Sequence, residues 1–314
     1  MNPGKSYPAK LLLFGEYTIL LGSSALGMPV NAFEASLSFI DQQKGDLLIR
    51  AEQSNFLLKQ LCDYYLERYS IFNEFIDLER FRNDITQGLY LSSTIPHRFG
   101  MGSSGALCAA IYGRYGNVES ILPSELNKAQ LNRLREKFIQ MEAFFHGRSS
   151  GFDPLVSFLH KNILVNKEGE AMPVCSSPLI NDDKLRILLI YSRLSREKKP
   201  YVQLFLDRFA PEGRLTPPAE IFVQLTNTCI DSFTSNYITE FWQNLLKLSA
   251  FQLSEMDHLI PEKLQSVWRD GLQTSIFALK LCGSGGGGYF TCITTDKIGT
   301  EAYFKSIEIS VVEI

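Results

Sequence analysis

The chain has 314 residues, of which 45% are hydrophobic and 21% are charged, a composition typical of a globular protein. At roughly 150 residues per domain, this length predicts two domains, and a chain of this size buries a large core without a disulfide or metal. The formal net charge of −3 lacks the basic excess of a general nucleic-acid-binding protein, so we expect no nucleic-acid partner.

The cysteines and histidines give no sign of a structural metal. The six cysteines form no CxxC pair, and the four histidines are too scattered for an HExxH-type zinc site. We interpret the cysteines as buried apolar thiols of a protein in a reducing cytoplasm. The apolar run after Lys10 ends at Gly15-Glu16, which is too short for a signal peptide, and no run of about eighteen apolar residues predicts a membrane span.

Hydrophobic periodicity predicts alternating strands and helices in the first half of the chain. The predicted strands are residues 10–14 and 17–21, two strands within 28–50, and residues 88–95 and 163–165. The predicted helices are residues 56–69, 103–112 and 128–146, and residues 173–178 are predicted to be a connector.

A run suited to a buried strand, residues 185–191, opens the second half. We place a domain boundary near residue 180, which gives domains of residues 1–180 and 181–314. Predicted helices at 221–233, 241–253 and 262–281 are followed by predicted strands at 289–294 and 307–312. The predicted fold class is α+β in both domains.

Residues 96–106, PHRFGMGSSGA, place Gly100, Gly102 and Gly105 in a G-x-G-x-x-G pattern ahead of a predicted helix. Successive backbone N–H groups at such a bend form a cradle for phosphate oxygens, and the Ser103 and Ser104 hydroxyls could cap the helix, bind phosphate or hold magnesium. A tight turn with serine caps explains the pattern about equally well.

Three other nucleotide-binding patterns are excluded. The dinucleotide fingerprint needs a second strand before an acidic residue, and no separate strand precedes Glu119. The P-loop signature G-x-x-x-x-G-K-[ST] is absent. The H-R-D and D-F-G signatures of protein kinases are absent as well.

Residues 147–151, GRSSG, match the G-x-S-x-G nucleophile elbow but follow a predicted helix rather than a strand. This context disfavours a serine hydrolase with Ser149 as its nucleophile. Glu142 and Asp153 flank the same segment and could supply a metal ligand and a proton acceptor. A solvated helix acid and a turn aspartate before Pro154 would explain these two carboxylates equally well.

Residues 280–289, KLCGSGGGGY, contain four consecutive glycines between a predicted helix and a predicted strand. Because apolar elements lie on both sides and glycine is costly in backbone entropy, a compact loop at a ligand is favoured over a flexible linker. Lys10 begins an apolar strand, and such a lysine is often a surface residue whose stem covers apolar neighbours.

In this order, these segments resemble the GHMP superfamily of small-molecule kinases, which includes galactokinases, homoserine kinases, mevalonate kinases and phosphomevalonate kinases. Residues 10–26 are similar to its first motif, residues 96–106 to its phosphate loop, and residues 280–288 to its third motif. The resemblance implies an N-terminal domain like ribosomal protein S5 domain 2, a ferredoxin-like C-terminal domain and a site in the cleft between them.

Within the superfamily, mevalonate kinases are the most similar. Residues 146–154, HGRSSGFDP, resemble their His-Gly-x-x-Ser-Gly-x-Asp stretch, and the spacing from Glu142 to Asp153 matches their magnesium-binding Glu and catalytic Asp. Cys282 and Ser284 depart from the third motif of that family. Tyr17 departs as well, because mevalonate kinases usually have His there and Gly-Glu-Tyr is more similar to phosphomevalonate kinases. The acceptor therefore stays open between mevalonate and phosphomevalonate.

The resemblance implies that the γ-phosphoryl group of ATP is transferred, with Mg²⁺, to the C5 hydroxyl of mevalonate. Asp153 would accept the hydroxyl proton, Lys10 would keep Asp153 ionised, and Ser104 and Glu142 would hold magnesium. The residues expected to bind the triphosphate are Gly100, Met101, Gly102, Ser103, Ser104 and Gly105. Those expected around the acceptor are Lys10, Glu16, Tyr17, Asp153, Gly283 and Ser284.

Two further alternatives and the oligomeric state are left open. A phosphomevalonate kinase would need a basic pocket, for which the candidates are Arg98, Arg148, Arg193 and Arg196. A binding module without turnover is disfavoured by the intact Lys10 and Asp153. A homodimer and a monomer are both compatible with the resemblance.

Overall fold

The computed structural model describes residues 5–40, 44–96, 100–117, 126–147, 149–175, 178–181, 184–194 and 199–314. The strands are β1 (Tyr7–Phe14), β2 (Ala25–Phe39), β3 (Leu89–Ser93), β4 (Asn162–Val165), β5 (Ala171–Val174), β6 (Arg186–Tyr191), β7 (Phe277–Leu281), β8 (Tyr289–Thr294) and β9 (Val311–Glu313). The helices are α1 (Asp46–Glu67), α2 (Tyr69–Phe72), α3 (Leu78–Thr86), α4 (Ser103–Tyr115), α5 (Lys128–His146), α6 (Phe152–Leu159), α7 (Pro178–Asn181), α8 (Tyr201–Phe209), α9 (Pro217–Thr234), α10 (Ile238–Glu255), α11 (Glu262–Thr274) and α12 (Lys297–Ser306).

The chain divides into two compact units. The first unit comprises Met1–Lys10, Pro29–Pro96 and Met101–Lys161, and the second comprises Leu11–Met28, His97–Gly100 and Asn162–Ile314. Strands β1 and β2 contribute residues to both units. The domain boundary near residue 180 remains a prediction.

The first sheet has the order β1-β2-β4-β5, and β3 also pairs with β2. Strands β2 and β3 are antiparallel, with a register that runs from Ala35 opposite Ser93 to Phe39 opposite Leu89. The core of the first unit centres on α4, in which every residue from Gly105 to Tyr112 is buried. The small side chains of this helix allow close packing against α6, which is buried from Pro154 to Leu159.

The second unit contains an antiparallel sheet of order β7-β8-β6-β9. In chain order these strands are second, third, first and fourth, which is the arrangement of the β-α-β-β-α-β motif. The predicted ferredoxin-like character of this region is confirmed. All five residues of β7 are buried, because helices α10 and α11 cover this strand.

The α+β class is confirmed, and several predicted elements agree closely with the structure. The predicted helix at 128–146 is α5, and the predicted strands at 185–191 and 289–294 are β6 and β8. The other predictions that agree are residues 10–14, 88–95 and 163–165 as strands and residues 56–69 and 103–112 as helices.

Two strand predictions near the N-terminus are wrong. Residues 17–21 were expected to be extended, but Thr18–Leu21 is a 3₁₀ turn, because Gly15 (φ 110°) and Tyr17 (φ 65°) turn the backbone out of β conformation. The second strand expected within 28–50 is wrong from Asp46 onward. Helix α1 begins at this residue, and its buried side chains lie between Ala51 and Tyr65.

The predicted helix at 262–281 is wrong in its last part. Ser275, with φ 55°, ends α11 in the left-handed conformation, and the residues that follow form β7. The glycine-rich segment therefore connects two strands rather than a helix and a strand. The expected connector at 173–178 overlaps β5, and the expected strand at 307–312 is reduced to β9.

Two further expectations need correction. Asp153 lies in the first turn of α6, a helix that the periodicity analysis did not predict, rather than in a turn before Pro154. Helices α8 and α12 were also not predicted. Five cysteines are buried as expected, but Cys175 is exposed.

Among the described residues, the helices are all too short or too polar to span a bilayer.

Trp268 tests the packing of the second unit. Its indole is fully buried, and Nε1 donates hydrogen bonds to the Ser249 hydroxyl (2.7 Å) and carbonyl (3.1 Å). We expect Trp268→Phe to lower the free energy of unfolding by about 2–4 kcal/mol, because it leaves Ser249 unpaired and opens a cavity. Urea unfolding followed by far-UV circular dichroism measures this change. The half-buried Trp242 is the matched control, and an equal loss in Trp242→Phe would contradict the expectation.

Candidate active site

Strand β1 carries Lys10 into the interior of the first unit. The Lys10 backbone N–H donates a hydrogen bond to the Met101 carbonyl at 2.9 Å, so the strand is tied directly to the glycine-rich loop. The side chain is only 7% exposed, and its Nζ lies 2.6 Å from Oδ1 of Asp153. This ion pair therefore joins the lysine of the first segment to the aspartate that follows the Gly-Ser loop.

Helix α6 positions Asp153. Gly151 is the N-cap residue with φ 66°, and Asp153 lies in the first turn, where a carboxylate is favoured by the helix dipole. The Phe152 ring lies 5.9 Å from Lys10 Nζ and shields one side of the ion pair. The Asp153 side chain keeps 28% of its surface exposed, so it is available to a bound molecule.

Glycine is favoured at two positions of the glycine-rich loop, at Gly102 mainly by its positive φ and at Gly105 by close approach to Asp153. A Cβ on Gly102, which has φ +69°, would lie 3.2 Å from Lys10 Cβ and 3.4 Å from Asp153 Oδ2. A Cβ on Gly105 would lie only 2.7 Å from the Asp153 carbonyl carbon. Gly102 is also the N-cap of α4 and no side chain caps this helix, so the interpretation as a turn with serine caps is not supported.

Glu142 lies on α5 and is almost completely buried. The Ser104 hydroxyl donates to its Oε1 at 2.9 Å, and the Ser149 hydroxyl donates to its Oε2. Burial and the neighbouring charge of Asp153 raise the pKa of Glu142 to about 7, although the two serine hydrogen bonds lower it. A cation beside Glu142 would relieve the repulsion between the two carboxylates.

Ser149 has a role that the sequence analysis did not identify. It follows helix α5 rather than a strand, so the elbow context of a serine hydrolase is absent. Its Oγ donates to Glu142 and accepts a hydrogen bond from the Gly151 N–H at 3.0 Å, which links the Glu142 carboxylate to the start of α6. The two-serine pattern of residues 147–151 was the only signal for this role.

A second cluster lies within the second unit. Lys280 and Glu16 form a fully buried ion pair, and Lys280 Nζ also donates to the Leu281 carbonyl at 2.7 Å. The Tyr17 hydroxyl donates to the Ser284 carbonyl at 2.6 Å, and its ring lies 4.6 Å from that of Phe205. The importance of Lys280 was missed, because the sequence does not show that it is buried and faces Glu16.

The predicted site residues thus fall into two groups. The first unit brings together Lys10, Met101, Gly102, Ser103, Ser104, Gly105, Glu142 and Asp153, and the second unit brings together Glu16, Tyr17, Gly283 and Ser284. Gly100 immediately precedes the first group along the chain and has φ 76°. Of the candidate basic residues, Arg193 donates to the Glu308 carbonyl, whereas Arg98, Arg148 and Arg196 lie outside the described residues, as does Glu119.

The donor set around Glu142 fits magnesium better than a transition metal. The described part of the chain has no group of three His, Cys, Asp or Glu side chains placed to hold an ion. Magnesium instead prefers oxygen donors and is commonly held by one or two carboxylates together with substrate phosphates. The Ser104 hydroxyl and the Glu142 carboxylate are such donors, and they lie beside the phosphate loop.

Comparison with known proteins agrees with this geometry. Residues 57–161 match the family described as GHMP kinases N terminal domain. The mevalonate kinase of Dictyostelium discoideum is 22% identical over an alignment of 353 positions, gaps included. This alignment covers 92% of this chain and 86% of the relative.

Two solved structures show the same fold. The mevalonate kinase of Methanococcus jannaschii superposes with a TM-score of 0.65 at 15% identity, covering 98% of this chain and 96% of its own. The phosphomevalonate kinase of Streptococcus pneumoniae, in complex with phosphomevalonate and AMPPNP, superposes with a TM-score of 0.60 at 13% identity and covers 100% of both chains.

Gly105 provides a test of the close approach. Glycine to alanine inside a helix normally stabilises a protein by up to about 1 kcal/mol. Here we expect Gly105→Ala to destabilise the protein by about 1–3 kcal/mol, because the new methyl group overlaps the Asp153 backbone. Thermal and urea unfolding measure the change. A stabilised Gly105→Ala variant would contradict the geometry.

Proposed function

Because the chain has the GHMP kinase fold and a GHMP kinase N-terminal domain, we propose that it transfers the γ-phosphoryl group of ATP to the C5 hydroxyl of mevalonate. The observation that carries this proposal is the Lys10–Asp153 ion pair, held against a glycine-rich loop at the start of a helix. A phosphate cradle beside an ionised carboxylate is what phosphoryl transfer to an alcohol requires.

In the proposed reaction, Asp153 accepts the proton of the substrate hydroxyl. Lys10 Nζ lies 2.6 Å from Asp153 Oδ1, and its positive charge stabilises the forming alkoxide. Catalysis is then mainly positioning and charge stabilisation, since the transition state of phosphoryl transfer is loose.

Residues 100–105 bind the triphosphate in this proposal, because the backbone N–H groups at the start of a helix such as α4 are available to bind an anion. Ser104 and Glu142 would hold Mg²⁺ against the phosphates, and Ser149 would orient the Glu142 carboxylate. When bound, the ion would neutralise the charge of the β- and γ-phosphates.

The acceptor is proposed to contact Glu16, Tyr17, Gly283 and Ser284 of the second unit in addition to Lys10 and Asp153. We also propose residues 1–180 as the domain that carries the phosphate loop and residues 181–314 as the ferredoxin-like domain. A cytoplasmic location is part of the proposal, in agreement with the five buried free cysteines.

A phosphomevalonate kinase is the second candidate. Tyr17 favours it, because mevalonate kinases usually have a histidine at position 17, whereas Gly-Glu-Tyr is more similar to phosphomevalonate kinases. The Tyr17 hydroxyl donates to the Ser284 carbonyl in the third segment. The structural similarity to the phosphomevalonate kinase of Streptococcus pneumoniae supports the same alternative at the level of the fold.

Asp153→Asn tests the chemistry. Asparagine keeps the shape of the side chain but cannot accept the proton, and general-base assistance is worth about 10²–10⁴-fold, so kcat should fall by that factor. The KM for ATP should change little, because the loop and Glu142 are intact. Lys10→Met should also lower kcat, and the double variant should lose less than the product of the two single effects, since Lys10 acts through Asp153.

Steady-state ADP release measures these rates. Asp63→Asn is the matched control, because Asp63 is an exposed residue of α1. If Asp153→Asn keeps more than about a tenth of the parental kcat, Asp153 is not the base.

A comparison of acceptors tests the substrate. With magnesium and ATP, we expect kcat/KM to be highest for mevalonate among mevalonate, phosphomevalonate, homoserine and galactose. A phosphorylated acceptor needs a basic pocket, and Arg193 already donates to a backbone carbonyl. A preference of tenfold or more for phosphomevalonate, equal to about 1.4 kcal/mol, would select the second candidate and leave the mechanism unchanged.

A further inference from the structure

The first unit contains a cavity of about 250 Å³ that shares no residue with the catalytic cluster. Its walls are formed by Lys5 and Tyr7 at the start of β1, Arg80 of α3, and Gly113 and Arg114 near the end of α4, with two apolar residues between them. We call it the basic cavity.

Positive charge in the basic cavity exceeds negative charge. Arg114 is paired with Asp84 at 2.8 Å. The Arg80 guanidinium donates a hydrogen bond to the Arg114 carbonyl at 3.3 Å, and Lys5 Nζ lies over the ring of Tyr7 at 5.5 Å. Within the described part of the chain, neither Lys5 nor Arg80 has a carboxylate at ion-pair distance. Two cationic side chains therefore remain uncompensated in a protein with a net charge of −3.

The Tyr7 hydroxyl is a further donor at this place. Tyr7 is only 2% exposed, its ring stacks on that of Phe158, and the residue lines the cavity. A Cβ on Gly113 would lie 1.6 Å from the Tyr7 oxygen, so the hydroxyl occupies the space that any other side chain at position 113 would fill. Burial raises the pKa of Tyr7 to about 12, so this hydroxyl keeps its proton. It can therefore donate a hydrogen bond to a ligand in the cavity.

The polar side chains that line the cavity are therefore all able to donate hydrogen bonds: one ammonium, two guanidinium groups and one phenol. Such a set is complementary to a multiply charged oxyanion, and the fork of an arginine matches phosphate geometry. The cavity is smaller than the range of about 300–1,000 Å³ that holds drug-sized ligands. We propose that the basic cavity binds a phosphate or diphosphate group, either inorganic or as the charged end of a small ester.

Two of the elements that line the basic cavity, β1 and α4, also carry residues of the proposed catalytic site. Strand β1 bears Lys10, α4 begins at the phosphate loop, and the Tyr7 ring stacks at 6.2 Å on Phe158 of α6, the helix that bears Asp153. A ligand in the basic cavity would contact β1 and α4 at once. Because it binds only the folded state, it should raise the unfolding temperature.

Isothermal titration calorimetry with pyrophosphate, in metal-free buffer at physiological ionic strength, tests the proposal. The native protein should bind two equivalents, one at the phosphate loop and one in the basic cavity. The double variant Lys5→Gln/Arg80→Gln should lose one equivalent or bind it at least tenfold more weakly, since charge-assisted hydrogen bonds are removed. A second arm with methyl phosphate separates the two sources, because a free anion site favours pyrophosphate and an ester site binds both.

Matched controls separate a built site from general electrostatics. Arg82 and Lys44 are exposed cations outside the cavity, so Arg82→Gln/Lys44→Gln removes the same charge and should keep both equivalents. Tyr7→Phe changes no charge and should weaken the cavity equivalent about 3- to 10-fold. The melting temperature without ligand verifies that each variant is folded.

Each outcome decides the proposal. The proposal is overturned if the Lys5→Gln/Arg80→Gln variant and its matched control bind pyrophosphate equally. It is also overturned if the native protein binds only one equivalent of pyrophosphate and the Lys5→Gln/Arg80→Gln variant still binds it. Gly102→Val distinguishes the cavity from the phosphate loop. If Gly102→Val binds pyrophosphate like the native protein while Lys5→Gln/Arg80→Gln loses one equivalent, the result supports the basic cavity and contradicts the proposed ATP site.

Discussion

The absence of side chains at Gly102 and Gly105 is the constraint on which the catalytic cluster depends. Gly105 lets the first turn of α4 lie against Asp153, within distances that a Cβ would violate, and Gly102 supplies the left-handed conformation at which this helix begins. The same contact brings the Lys10 backbone to Met101 and the Ser104 hydroxyl to Glu142. Strand β1, helix α5 and helix α6 are thereby fixed around one short loop. A substitution at Gly102 or Gly105 is therefore expected to disturb Lys10, Glu142 and Asp153 together with the loop itself.

The ion pairs Lys280–Glu16 and Lys10–Asp153 differ in their exposure to solvent. Lys280 and Glu16 are withdrawn from water, with side chains 0% and 2% exposed, and removing one partner would leave an uncompensated buried charge. This pair fixes the start of the third segment relative to the first segment within the second unit. In the Lys10–Asp153 pair the aspartate side chain keeps 28% of its surface exposed, which suits the proton-accepting role proposed for it.

Much of the catalytic cluster could be predicted from local sequence patterns, and the errors have physical causes. The strand of Lys10 was predicted from a short apolar run and the helix after the glycine-rich loop from its small helix-forming residues. Helix α5 was predicted from its amphipathic periodicity. Residues 277–281 were assigned to a helix, because a short apolar run does not distinguish a buried strand from a helix and the left-handed turn at Ser275 has no clear sequence signal. The link from Lys280 to Glu16 joins segments 264 residues apart, which no local pattern of the sequence encodes. The link from Ser149 to Glu142 spans only seven residues, but it depends on how the chain turns back after α5.

The location of the aromatic residues has a spectroscopic consequence. Trp242 and Trp268, the two tryptophans of the chain, both belong to the second unit, whereas Lys10, Glu142 and Asp153 belong to the first. Indole emission therefore reports on the surroundings of the second unit, and the buried Trp268 beside Phe290 should emit at shorter wavelength than the half-buried Trp242. The first unit contributes only tyrosine emission, so selective excitation of the native chain observes one half of the molecule without any added label.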